Sequence, residues 1–194
     1  MPMTINFGGM MIPNLGKDKY KYTAFKEGVE IPNQSGPSLK VINIKQKLDA
    51  AWTFATKRAA GKSECNAYFK ALRKKLSLGD VLELKITLHC LWPKADNPTF
   101  EDFLKLPYGN TAGQDIGINP YFLLEEGQQP NRLGCLLIHE LAHVAGASTY
   151  TEGAGAHDAE AALPKCLCDK FYSKDILGRI ERMPLPAYGG SRLV

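Results

Sequence analysis

The sequence predicts an α+β fold in a single domain over residues 1–194, mostly helical, with a small sheet beside one buried helix. Three observations predict it. Apolar residues recur at helical spacing in two segments of the first half. The period then switches to two over residues 82–89. An apolar run at 131–145 follows and carries two histidines four residues apart, which share one helix face. With 194 residues, 44% hydrophobic and 23% charged, the chain can bury one sizeable core.

Residues 1–37 are rich in Gly, Pro, Asn and Lys and read as an irregular N-terminal arm with one short strand. Ser38 can cap a helix to about Ala60, with Leu39, Ile42, Leu48, Trp52 and Ala55 on one stripe and Gly61 as the stop. Ser63 can cap a second helix over 64–76, carrying Tyr68, Leu72 and Leu76. Leu82, Leu84, Ile86 and Leu88 alternate with Glu83, Lys85, Thr87 and His89, as on a half-buried strand closed by Trp92 and Pro93. Turns fill 93–113 around a short helix at 100–106. A second strand spans 114–118 and ends at Asn119-Pro120. The helix of 131–145 presents Leu133, Leu136, Leu137 and Val144, and Gly146 takes the C′ position that stops it. A helix over 156–172 is broken at Pro164. A last helix at 174–182 precedes a C-terminal tail, 183–194.

Composition excludes several classes. Net charge is only +4, and the basic clusters Lys17–Lys21 and Arg73–Lys75 read as solvated faces without the aromatic interleaving of a nucleic-acid binder. No run of about 18 apolar residues exists, so no membrane span is expected. The N-terminus lacks a basic segment followed by a long apolar core and does not read as a signal peptide. The five cysteines, 65, 90, 135, 166 and 168, are odd in number and irregular in spacing. They read as buried thiols rather than a disulfide framework, with one pair able to form outside a cell. Cys166-Leu167-Cys168 is a weak metal pattern without a second Cys pair.

The chemistry lies in His139-Glu140-Leu141-Ala142-His143, an HExxH pentapeptide. At i and i+4 the two imidazoles can reach one metal ion, and Glu140 can reach a water on it. Two histidines four apart also occur on ordinary helices. Here, however, only four histidines exist in the chain, and two take this spacing with Glu between them. A buried His–Glu pair on an apolar helix would also be costly without a partner. One zinc per chain is therefore expected. The pentapeptide in its apolar helix resembles the zincins, the HExxH zinc metallopeptidases. The resemblance implies a small sheet beside the active-site helix, Glu140 as general base, and an edge strand that pairs with an extended protein or peptide substrate. Residues 114–118 are the candidate for that strand.

A catalytic zinc takes three protein ligands and keeps one open position. His157, Asp158 and Glu160 are the candidates for the third. The chain matches the metzincin pattern through Gly146, but Thr149 stands where that pattern has its third histidine, so His157 requires a longer loop. Glu160 fits the zincins whose third ligand is a glutamate on a following helix. Asp158 lacks the Tyr-Gly pair of the aspartate-ligated zincins. His157 and Glu160 are three apart, so one can bind zinc while the other orients it. Tyr108, Tyr150 and Tyr172 are candidates to stabilise an oxyanion. Glu125-Glu126 reads as a solvated acidic turn.

The stretch from His139 to Cys166 is similar to small bacterial HExxH domains at the ends of toxin and secretion-effector proteins. That resemblance implies a secreted or delivered protein, or otherwise a cytoplasmic one, with an inhibitory or immunity protein as partner. A di-iron bundle is excluded, because no second Glu-x-x-His pair is present. Peptide deformylase needs a Cys ligand whose surroundings Cys90 does not match. A non-catalytic zinc-binding interaction domain is the alternative, although it leaves Glu140 without a purpose.

Overall fold

The computed structural model describes residues 3–10, 20–61, 63–125, 130–148 and 159–168. Its organising element is β5 (Ile86–Pro93), an eight-residue strand. Strand β1 (Met3–Ile5) pairs parallel with its first half, and β2 (Tyr20–Thr23) pairs antiparallel with its second half, on the same edge. On the other edge β7 (Asp115–Ile118) runs parallel to β5. Strand β6 (Gly109–Ala112) pairs antiparallel with β7 and ends the sheet. A separate hairpin joins β3 (Val29–Ile31) to β4 (Leu39–Val41).

Seven helices are described. They are α1 (Ile44–Gly61), α2 (Ser63–Ala71), α3 (Leu78–Leu82), α4 (Phe100–Leu104), α5 (Pro120–Glu125), α6 (Pro130–Val144) and α7 (Ala162–Lys165). The class is α+β, as the sequence predicts. Helix α6 packs on α1 along one flank and on β6 along another. Gly134 allows the close approach to α1: a Cβ there would overlap the Phe54 side chain. Leu133, Leu136, Leu137, Ile138, Leu141 and Val144 of α6 are all fully buried.

The end of α6 is as the sequence predicts. Gly146 has φ +96°. Its N–H donates to His143 O at 3.0 Å, and Ala147 N–H donates to Ala142 O at 2.9 Å. This is the paired hydrogen bonding of a Schellman motif, and the left-handed residue favours glycine. Gly61 ends α1 and Pro120 opens α5 behind Asn119, whose side chain accepts from Tyr121 N–H at 2.9 Å.

Several expectations are corrected. The N-terminal arm holds three strands among its described residues, two of them in the main sheet. The first helix begins at Ile44, not near Ser38. The stretch Leu39–Val41 is a strand instead, Asn43 takes φ +58°, and the Glu27 carboxylate accepts the N–H groups of Asn43 and Ile44. A distant side chain thus supplies the cap. Helix α2 stops at Ala71, short of 76. The alternating run of 82–89 is split. Ser77 and Asp80 form a capping box that starts α3, so Leu82 ends a helix and the strand begins at Ile86. That strand is buried on both faces except at Trp92, because elements cover both sides of the sheet. The strand expected at 114–118 exists, but it is interior and β6 is the edge. The helix expected over 156–172 is a single turn, α7, within the described part. The helix at 174–182 and the tail at 183–194 lie outside the described residues.

The cysteines are also corrected. Cys65 bonds to Cys166, and Cys135 bonds to Cys168. The segment 159–168 lies across α2 and α6, which carry the other two half-cystines. Cys90 remains a buried thiol, and burial pushes its pKa up to about 12. No helix among the described residues is long and apolar enough to cross a membrane.

Candidate metal centre

The apolar stripe of α6 fixes the orientation of the motif. It turns one helix face into the core and carries His139 and Glu140 with it, leaving them 1% and 0% exposed. His143, one turn on, is half-buried. The two imidazole centroids are 5.0 Å apart at 77°. Burial, with the charge of His143 as the lesser cause, holds the His139 pKa well below its ordinary value. Among the described residues neither ring nitrogen of His139 has a hydrogen-bond partner. A neutral buried imidazole with no partner is costly as a mere core residue and suited to a metal. His143 Nδ1 lies 3.3 Å from the carbonyl of Ala147. A carbonyl only accepts, so Nδ1 carries the proton and the lone pair is on Nε2. Ala147 belongs to the Schellman turn, so the helix stop sets the tautomer of the second histidine.

Glu140 points to β6. Thr111 Oγ1 donates to Glu140 Oε2 at 2.7 Å and lies 3.2 Å from the Glu140 carbonyl oxygen. Gly109 leaves room for the carboxylate: a Cβ there would lie 2.5 Å from Oε1 and 2.8 Å from Cδ. Thr111 and Gly109 thus share the sheet face that α6 covers.

Asn110, between them, faces the other side. Its side-chain oxygen accepts from Tyr22 Oη at 2.6 Å, and its carbonyl lies 3.1 Å from the same hydroxyl. The Tyr22 ring crosses Gly117, where a Cβ would be 2.9 Å from Cε1. His89 packs edge-on against Tyr22 with centroids 5.7 Å apart. Asn6 Oδ1 accepts from Gly8 N–H, which turns the Asn6 amide nitrogen toward His89 Nδ1 at 3.1 Å. His89 Nδ1 is therefore the acceptor, and Nε2–H donates to Asp115 at 2.8 Å. This back face is polar, buried and tied together. Tyr20, next to Tyr22 on that face, has a buried hydroxyl without a hydrogen-bond partner among the described residues. Burial and then the Glu140 charge raise its pKa to about 12. The Tyr22 pKa is raised too, first by burial and then by the Tyr20 and Glu140 charges.

The structure brings His139, Glu140 and His143 together. It does not gather a third ligand with them: among the described residues no group of three His, Cys, Asp or Glu is placed to hold a metal ion. Glu160 is half-buried at the start of the disulfide-tied segment, and His157 and Asp158 lie outside the described residues. Of the tyrosines expected near the site, Tyr108 packs on Phe122 with centroids 4.8 Å apart, while Tyr150 and Tyr172 lie outside the described residues.

Sequence reasoning missed Gly109, Thr111, Asn110 and Tyr22. One signal was available. Gly113-Gln114 is a two-residue loop between short β-compatible segments, and Gly113 takes φ +68°. Such a loop with a leading glycine marks a hairpin, which would have added β6. The chain matches no protein-family model, no curated protein and no solved structure.

Proposed function

We propose that this chain is a zinc-dependent peptidase of the zincin type. One observation carries the reading: His139, buried with no ring-nitrogen partner among the described residues, stands one turn from His143 with the Glu140 carboxylate beside them. A small mixed sheet whose antiparallel edge strand lies along the motif helix supports the zincin likeness. The donors fit zinc, which takes neutral imidazole readily. His139 and His143 would hold it, with His157, Asp158 or Glu160 as the third ligand. Bound zinc would supply a Lewis acid and an acidified water. Glu140 would serve as the general base, its carboxylate holding and moving a proton beside the two histidines. Thr111 keeps the carboxylate turned toward this task. An extended substrate aligns along β6, the edge strand that lies against the motif helix.

The two cystines favour an oxidising compartment, which suits a secreted or delivered toxin or effector better than a cytoplasmic enzyme. A partner that covers the cleft would protect the producing cell.

The test has two arms. Purified protein should carry about one zinc per chain, and His139→Ala and His143→Ala should lose it. Glu140→Gln should keep the zinc and lose hydrolysis of labelled denatured casein. Wild type without zinc after reconstitution would end the reading. Zinc retained without hydrolysis by wild type would leave a non-catalytic zinc-binding interaction domain.

A further inference from the structure

We propose that β6 is the positioning device for the Glu140 carboxylate, with Thr111 holding one oxygen, Gly109 providing the space for the other, and Tyr22 clamping the strand from behind through Asn110. The catalytic consequence rests on the peptidase reading above; the geometric claim does not.

Three successive residues act on the same object from two sides. On the front, Thr111 Oγ1 donates to Oε2 at 2.7 Å, a short hydrogen bond for an O–H donor. The same hydroxyl lies 3.2 Å from the Glu140 carbonyl, a second acceptor within reach of its one proton. Gly109 contributes by what it lacks. Any Cβ would come within 2.5 Å of Oε1, a separation that atoms do not tolerate, so the carboxylate occupies the side-chain position of residue 109. On the back, Asn110 cannot shift without breaking the two contacts to Tyr22 Oη at 2.6 and 3.1 Å. Tyr22 is itself seated over Gly117 and against His89, whose Nε2–H is held by Asp115 in β7. The clamp therefore spans β2, β5, β7 and β6.

A glutamate has three rotatable side-chain bonds and therefore many rotamers. A general base must instead sit within hydrogen-bond reach of the proton it takes. The β6 contacts remove that freedom before substrate arrives. Because the substrate is expected to align on the same strand, the strand would register the scissile bond and the base together. Thr111 and Tyr22 are positioning residues, since they act through Glu140.

Four variants test this: Thr111→Val, Thr111→Ser, Gly109→Ala and Tyr22→Phe. Each is first checked for zinc content and thermal midpoint against wild type. On labelled denatured casein, Thr111→Val should leave KM unchanged and lower kcat by roughly 10–100-fold, the scale of a catalytic group misplaced by about 1 Å. Thr111→Ser keeps the hydroxyl and should recover most of that loss. Gly109→Ala should also lower kcat, because the far end of the Glu140 side chain can swing away rather than unfold the chain. Tyr22→Phe should lower it less, since Asn110 keeps its ladder pairing. The second readout is crystallographic. The Glu140 carboxylate should leave its place in Thr111→Val and Gly109→Ala and stay in Thr111→Ser. A carboxylate unmoved in Thr111→Val, or an unchanged kcat with the carboxylate moved, overturns the proposal. If wild type hydrolyses nothing, the peptidase reading fails alone, and the carboxylate position in the three crystals still decides the geometric claim.

Discussion

Removing the Cys135–Cys168 bond should destabilise the chain by a calculable amount. The bond closes a loop with a sequence separation of 33, and Cys65–Cys166 closes one of 101. In the chain-entropy account, loops of these sizes restrict the unfolded state by about 3.7 and about 4.7 kcal/mol respectively. The loops overlap over residues 135–166, so the two effects together are smaller than their sum. Cys135→Ala/Cys168→Ala leaves the longer loop closed and removes two fully buried sulfurs. A loss of about 3–4 kcal/mol corresponds to a midpoint lowered by roughly 6–16 °C in a domain of this size. The assay is urea unfolding and scanning calorimetry of oxidised wild type, the double variant and reduced wild type. Thiol labelling provides the control. Unreduced protein in denaturant should label at one cysteine, Cys90, and at all five after reduction. Native protein should not label there, because the Cys90 thiol is buried and its pKa is about 12. Five reactive thiols in unreduced denatured protein, or equal stability of oxidised wild type and double variant, would refute the pairing.

Further outcomes are expected. Zinc affinity measured for His157→Ala, Asp158→Ala and Glu160→Ala should fall most for the true third ligand, while a residue that only orients a ligand should cost about 10–100-fold; equal retention by all three would place the ligand elsewhere. Induction of wild type in the target compartment of a bacterial host should slow growth, and Glu140→Ala should remove the harm; equal growth in cytoplasm and periplasm would argue against an antibacterial toxin. Gly134→Ala should lower the thermal midpoint, because the new methyl meets Phe54 Cβ at 2.9 Å and overpacking of about 1–3 kcal/mol outweighs the gain of about 1 kcal/mol in helix propensity. Ser77→Ala should lower it too, by removing the α3 cap. Hydrogen bonds from the Ser77 side chain and then its backbone depress the Asp80 pKa. A depressed carboxylate stabilises above its unfolded value of about 3.9 and loses that contribution as pH falls through the folded value. The difference between Ser77→Ala and wild type should therefore narrow below about pH 4.

The motif helix was legible in the sequence because everything about it is local. Its apolar period, its glycine stop and its i, i+4 histidines can be read within twenty residues, and they recur in α6 and its Schellman turn. The start of α1 was not legible, since its cap comes from Glu27, seventeen residues from Ile44. The run of 82–89 misled because its alternation mimics a half-buried strand, whereas a capping box at Ser77 and Asp80 claims Leu82 for a helix. The cystines were hidden by one extra thiol: Cys90 makes the count odd, and pairing depends on the fold bringing 166 and 168 to α2 and α6. At the site, the residues that would do chemistry were named from sequence, but those that hold Glu140 were not. Gly109 and Thr111 have no signature of their own. Their role arises only when β6 is laid along α6.

Strand β5 lies mid-sheet, and its partners come from both directions along the chain. Asn6 reaches His89 over 83 residues, so β1 waits for residues 86–88 and β2 for residues 90–93 to leave the ribosome. The far edge of β5 then stays bare until β7 is made. Closing such distant pairs is slow, and open apolar edges attract chaperones and other chains in the meantime. His139 and His143 follow every described strand in the order of synthesis, and a nascent chain that stops before Cys166 holds neither cystine. The two histidines thus arrive on a scaffold whose described strands are already made, and oxidation can complete it only after the segment that carries Cys166 and Cys168 has followed them.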